Sequence, residues 1–182
     1  MAAVFDEMRD DHIEFIGEQP VFFVASAPNG PDGHVNLSPK GGDHFRVLDR
    51  RTVAYLDLTG SGAETIAHTR QNGRLTIMFC SFGPKPLVLR LFGRSEVLAL
   101  GTPEFEALAG LFEPNVGSRA IIRLAVTRVQ TSCGYGVPVM DLVEVRPRLD
   151  EWAERKGPDG IAEYHRAKTA RSIDGLPAME GL

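Results

Sequence analysis

Asp57-Leu-Thr-Gly-Ser-Gly-Ala-Glu-Thr65 is the stretch on which the fold turns. An apolar strand over residues 53–58 runs into a loop with two glycines and three hydroxyls, and the loop opens onto a helix carrying Ala63, Ile66 and Ala67 on one face. The first N–H groups of a helix have no partner within it, and a glycine lets an anion approach them closely, so a phosphate fits this place. The same letters satisfy a plainer reading, in which Ser61 is the N-cap and Glu64 its capping-box partner. Both readings give strand, loop and helix, and the rest of the chain has to decide what the loop is for.

Working outward, residues 5–17 carry Phe5, Met8, Phe15 and Ile16 with helical spacing. Pro20 stops that helix, a buried strand follows over 21–27, and the turn Pro28-Asn-Gly-Pro-Asp-Gly33 returns the chain as a strand over 34–37. Beyond the loop helix, Asn72-Gly73 turns into a strand over 74–80, and Gly83-Pro84-Lys85-Pro86 separates it from another over 87–98. Thr102 caps a second helix with Pro103 in its first turn and Phe105, Leu108, Ala109 and Phe112 on its packing face. Residues 120–129 alternate cleanly, Ile122, Leu124 and Val126 against Arg123, Ala125 and Thr127. The end reads as a helix over 157–168 and an extended tail over 173–177.

Six or seven short-turned strands with helices set between them predict a mainly β fold, an antiparallel barrel with helical decoration, in a single domain over residues 1–182. No Gly-rich loop opens the first strand–helix unit and no run of parallel βαβ units follows, which excludes a dinucleotide-binding arrangement. The 20 basic and 24 acidic residues leave a formal charge of -4 without a compensating basic block, which argues against nucleic acid. Cys80 and Cys133 are far apart, no signal peptide is evident and no long apolar span suggests a membrane. The expectation is a cytoplasmic protein with free, core-packed cysteines.

Several side chains carry chemical potential. Lys40, in Asn36-Leu-Ser-Pro-Lys-Gly-Gly42, reads either as a phosphate-neutralising ammonium, with Ser38 as a donor, or as an exposed turn lysine. Asn36 reads as a reader of a planar ring edge or as a strand neighbour's partner. Arg90 interrupts an apolar strand and must face solvent, a partner subunit or an anion rather than a dry core, and Arg119 and Arg123 pose the same question. The histidines lack metal-ligand spacing, so no metal is expected. Ser132-Cys-Gly-Tyr-Gly-Val-Pro138 lacks the GxSxG of a nucleophile elbow, and Tyr135 reads as a ring for a flat ligand or as a packed turn residue.

The order of these segments resembles the pyridoxamine 5′-phosphate oxidase-like family of FMN-binding split barrels. The resemblance runs from about residue 15 to 145. It is carried by His34-Val-Asn-Leu-Ser-Pro-Lys-Gly41, Val53-Ala-Tyr-Leu-Asp-Leu-Thr-Gly-Ser-Gly62, Asn72-Gly-Arg-Leu-Thr-Ile-Met-Phe79 and Arg90-Leu-Phe-Gly-Arg-Ser-Glu-Val97, with Ser132–Pro138 and Ser172-Ile-Asp-Gly-Leu-Pro177 like those of a less familiar branch. It implies a homodimer with two FMN molecules at its interface. It further implies that Asn36, Ser38, Pro39 and Lys40 line the flavin ring and phosphate region. Asp57, Leu58, Thr59, Ser61 and Gly62 would hold the ribityl-phosphate arm with Thr65 beside the phosphate, and Arg90, Ser132 and Tyr135 would reach in from the other subunit.

Two departures bear on activity. Where the true oxidases place a phosphate-binding arginine at the start of the first of these strands, this chain has Val35, and Gly62-Ala-Glu-Thr65 replaces a basic pair. The tail lacks the tryptophan–arginine elements that hold the B6 substrate. The resemblance therefore implies a flavin-dependent oxidoreductase with another small-molecule substrate or electron donor. Its rivals are a non-catalytic flavin-binding or sensor protein and a structural dimer that has lost the cofactor.

Overall fold

One curled, wholly antiparallel sheet of eight strands organises the chain in the computed structural model, which describes residues 2–181. The order is β1 (Ala3–Phe5), α1 (Asp10–Gly17), β2 (Val21–Ser26), β3 (Asn36–Gly41), β4 (Phe45–Asp49), β5 (Thr52–Leu58), α2 (Glu64–Asn72), β6 (Arg74–Cys80), β7 (Val88–Ala99), α3 (Pro103–Ala109), β8 (Ser118–Ser132) and α4 (Arg148–Tyr164). A π-helical turn, His165–Thr169, extends α4. In space the strands lie β3-β2-β6-β7-β8-β5-β4, with β1 added beside the C-terminal end of β8.

The curl comes from β7 and β8, which are long enough to serve both halves of the sheet. Residues 88–92 of β7 pair with the end of β8, while residues 93–99 pair with its beginning, and the register slips between Phe92 and Gly93. A bulge of this kind bends and twists a strand pair. Gly93 permits it, because a Cβ there would run into the Ala125 carbonyl oxygen across the pair. The bend encloses a core of Phe22, Val24, Tyr55, Ile66, Ile77, Phe79, Leu89, Leu91, Ile122 and Leu124. Strand β5 is buried on both faces: Val53 and Tyr55 point into this core, and Ala54 and Leu56 join Phe105, Phe112, Leu98 and Ile121 under α3. Each large side chain so buried contributes about 1.5–3 kcal/mol.

Helix α2 plugs one end of the half-barrel with Ile66, Ala67 and His68 and packs on β2, β6 and β7. Gly73 ends it in the left-handed region (φ 67°) and gives its carbonyl to Ser95 N–H, as the Asn72-Gly73 turn requires.

The structure corrects several expectations. The first helix begins at Asp10, and Phe5 belongs to a strand paired with β8. The return strand after the 28–33 turn is displaced to Asn36–Gly41, and β4 is an additional strand, so the sheet has eight rather than six or seven. Ser61 is not the N-cap: that position is Ala63, which makes no side-chain cap bond, and the Glu64 carboxylate instead accepts the Ile173 N–H at 3.2 Å. The last helix starts at Arg148, not residue 157, and kinks at Gly157. The tail is no extended strand, since Gly175 N–H bonds Ser172 O and Arg171 bridges Pro177 in a tight loop. Cys80 is buried as expected, but Cys133 is exposed.

Candidate functional site

A cavity of about 440 Å³ opens between β3, the end of β5, the loop that follows it, and the first turn of α2. Strand periodicity builds its first wall: Asn36, Ser38 and Lys40 alternate inward along β3, while Leu37 and Pro39 between them stay exposed, Pro39 at the cavity's rim. Leu58, Ser61, Gly62 and Thr65 form the opposite wall. Asn36, Ser38, Pro39, Lys40, Leu58, Ser61, Gly62 and Thr65, all read from the sequence, thus line one space.

Beneath that wall lies an ion triad. The fully buried Asp57 carboxylate takes Lys40 Nζ on one oxygen (3.0 Å) and Arg119 Nε on the other (2.7 Å). Burial pushes its pKa up, but the two cations outweigh burial and hold it below the usual carboxylate range. Arg119 also lines the cavity, and its Nη1 is buried with no hydrogen-bond partner among the described residues. A buried, unpaired guanidinium N–H is costly, and this one is closed to solvent, so it is the rest of the guanidinium that faces the cavity.

The start of α2 supplies more donors. Ala63 provides no side-chain cap, so the leading N–H groups of α2 lack an intrahelical acceptor and face the same loop. Glu64 tempers their positive end; its carboxylate sits against Gly62, where any Cβ would collide with it, and ties down the tail through Ile173. His44 also lines the cavity, and burial lowers its pKa.

Two expected arm-holding side chains have other work. Asp57 lies behind the wall, where it fixes Lys40 and Arg119. Thr59 is fully buried, donates to Gly117 O (2.8 Å) and accepts from His165 Nε2 (2.7 Å). Burial and then Arg119 lower the pKa of that histidine, consistent with a neutral ring. Three further expected residues stand apart from the cavity within this chain. Arg90 Nη1 donates to Ser132 Oγ (3.2 Å) on the β7–β8 pair, and Tyr135 is 82% exposed.

The residue that sequence reasoning missed at the site is Arg119. Its signal was an arginine set in an apolar strand, shared with Arg90 and Arg123, and only the fold separates them. Arg123 pairs with Glu96 near the surface (2.7 Å), whereas Arg119 is 3% exposed.

The sequence model of a family described as pyridoxamine 5′-phosphate oxidase matches residues 8–133. The chain is 40% identical over 196 residues to the pyridoxamine 5′-phosphate oxidase family protein ustO of Aspergillus flavus, an alignment covering 98% of this chain and 78% of that one. Among solved structures, a HupZ variant from Group A Streptococcus superposes with a TM-score of 0.54 at 24% identity, over 68% of this chain and 98% of that one. A candidate pyridoxamine 5′-phosphate oxidase from Lactobacillus delbrueckii gives a TM-score of 0.53 at 17% identity, over 69% and 94%. These two superpositions bear on the fold.

Proposed function

The chain belongs to the pyridoxamine 5′-phosphate oxidase family, and from that premise we propose that it is an FMN-binding, small-molecule oxidoreductase that works as a homodimer. The observation that carries this reading is that Lys40, Arg119 and the uncapped start of α2 line one cavity. A guanidinium N–H, an ammonium and free helix-start N–H groups are the donor set a phosphate ester takes. Asp57 orients both cations from behind, and Leu56 and Leu58 give the cavity an apolar side. When bound, a flavin supplies hydride and electron transfer, while the protein supplies position and field.

The donor set differs from that of a B6-phosphate oxidase. Val35 is 75% exposed, and Glu64 stands in the helix start. Oxidation of pyridoxamine phosphate is therefore not part of the proposal.

The dimer has its own support. One face of the β3-β2-β6-β7 sheet carries Leu37, Phe23, Met78 and Phe92 around Arg90, and within this chain these residues remain half-buried or exposed. A second copy would cover them, and with it Arg90, Ser132 and Tyr135 would approach the partner's cavity. Sedimentation giving a stable monomer at micromolar protein would remove the dimer.

The test of the cofactor is direct. Protein purified without added flavin should be yellow or take up FMN with quenched fluorescence, and bound flavin should bleach with a reductant such as NADPH. Colourless protein that fails to quench FMN refutes the reading. Flavin that binds but exchanges no electrons with donors leaves a binding or sensor protein.

A further inference from the structure

Behind the cavity wall, three elements meet in a hydrogen-bonded chain that the flavin reading does not use. Asn36 on β3 donates through Nδ2 to Ser26 Oγ on β2 (3.1 Å) and to Thr65 Oγ1 on α2 (2.9 Å). Ser26 Oγ lies 2.9 Å from Nδ1 of His68, a fully buried ring one turn further along α2. A carboxamide has two N–H donors and one oxygen. Both donors of Asn36 are taken by hydroxyl oxygens, so its Oδ1 is the atom left for the cavity that Asn36 lines.

The direction of the chain follows from counting protons. Ser26 Oγ accepts from Asn36, so its own proton needs an acceptor, and His68 Nδ1 is the one within reach. On that count Nδ1 is bare and the ring proton sits on Nε2, which is buried with no hydrogen-bond partner among the described residues. Burial lowers the pKa of His68, against the raising pull of Glu64 on its own helix, Asp174 on the docked tail and the Ser26 backbone, which agrees with a neutral ring. Were Nδ1 protonated, it would donate to Ser26, Ser26 would donate to Asn36, and the carboxamide would have to turn its NH₂ to the ligand.

We infer that His68 is a positioning residue which, through Ser26, locks Asn36 as an obligatory acceptor and so makes this wall select a ligand hydroxyl. The inference rests on the flavin reading for the identity of that hydroxyl. Asn36 touches Thr65 in the first turn of α2, beside the donors assigned to the phosphate. The group it meets is therefore a hydroxyl of the ribityl arm next to the phosphate, not the phosphate itself, which is mostly dianionic at neutral pH and presents bare oxygens, and not the ring imide.

Two measurements test this. In the ligand-free protein, nitrogen-15 shifts of the His68 ring should show the Nε2–H tautomer with a bare Nδ1. A ring protonated on Nδ1 overturns the inference whether or not the protein binds flavin. In the second, FMN, riboflavin and lumiflavin, which lacks the ribityl hydroxyls, are titrated against the parent, Ser26→Ala, His68→Leu and His68→Asn. Loss of one neutral hydrogen bond predicts FMN and riboflavin weakened alike by roughly three- to tenfold in Ser26→Ala and His68→Leu. Lumiflavin should be unchanged, and affinity should return in His68→Asn, whose side-chain oxygen can replace Nδ1 as acceptor. Lumiflavin falling in step, or FMN falling alone, overturns the assignment to a ribityl hydroxyl. A parent that binds none of the three refutes the flavin reading, while the tautomer measurement still judges the network.

Discussion

Asp57→Asn should destabilise the ligand-free protein and sharpen its response to anions. The carboxylate is fully buried, and each oxygen holds one cation, Lys40 at 3.0 Å and Arg119 at 2.7 Å. An amide of the same shape keeps one acceptor and turns an NH₂ toward the other cation. The two cations do not suffer equally. The Lys40 side chain is 24% exposed and can swing its ammonium to water, but the Arg119 side chain is 4% exposed and cannot. Breaking a buried pair by removing one partner costs about 3–5 kcal/mol, and the freedom of Lys40 places this variant toward the lower end. For a chain of this size each kcal/mol moves Tm by roughly 2–4 °C, so the expected fall is about 6–12 °C.

The second half of the prediction has the opposite sign. Two cations and one carboxylate leave the triad at +1, and Asp57→Asn raises it to +2. A bound phosphate ester then replaces the missing counter-ion, and the stabilisation by ligand grows with its affinity as RT ln(1 + [L]/Kd). Thermal unfolding followed by circular dichroism, with and without FMN, measures both halves. A ligand-free Tm equal to the parent's refutes the claim that Asp57 holds the two cations in place. An early-melting variant that gains no more from FMN than the parent refutes the claim that they face a phosphate.

Arg119→Met, which removes the cavity-lining guanidinium but keeps an apolar stem, should weaken FMN by about 1.5–3 kcal/mol while scarcely changing riboflavin; fluorescence titration of both ligands decides. His12, His44, His68 and His165 all have folded-state pKa values lowered from 6.5, in each case chiefly by burial. The unfolded chain therefore binds more protons below pH 6.5, and stability present above that value should fall as pH drops through the lowered values, before Asp57, held below 3.8, is protonated; Tm measured from pH 7.5 to 5 checks it. Ser61→Ala should leave the unfolding free energy within about 0.5 kcal/mol of the parent's, because Ser61 makes no cap, and a loss of a full capping contribution in denaturant unfolding would restore it as the N-cap.

How much was legible in the sequence follows from where the physics was local. Strand periodicity marked β8, where Leu124, Val126 and Val129 are buried and Ala125, Thr127 and Arg128 exposed, while β5, buried on both faces, was legible as an apolar run. Strand β4 gave no such signal: Phe45, Arg46, Val47 and Leu48 are all half-buried, so the pattern that marks a strand is missing. Strand β3 lies at the sheet edge, where Pro39 is tolerated and Lys40 can point into a polar cavity; the expected return strand ended at residue 37, before both of them. The capping rule failed at Ser61 because the Glu64 carboxylate that would complete the box goes to Ile173, 109 residues away. Arg119 was illegible for the same reason, its partner Asp57 being 62 residues distant.

The long-range contacts that hid those roles also explain how the loop from Asp57 to Thr65 can be both a helix start and a phosphate cradle. Around the cavity Lys40 and Arg119 bring two positive charges, and Asp57 and Glu64 bring two negative ones, so the site is near neutral before any ligand arrives. A cluster of unpaired cations in its place would repel itself and carry a desolvation cost whenever the phosphate left. Here the carboxylates take that strain. Asp57 balances the cations from within, and Glu64 offsets the helix start while holding the tail loop against it. What remains for a ligand is directional rather than coulombic: the cavity edge of the Arg119 guanidinium, the leading amides of α2, and the carboxamide of Asn36. A site built this way stays folded when empty and gains its selectivity from where donors and acceptors point.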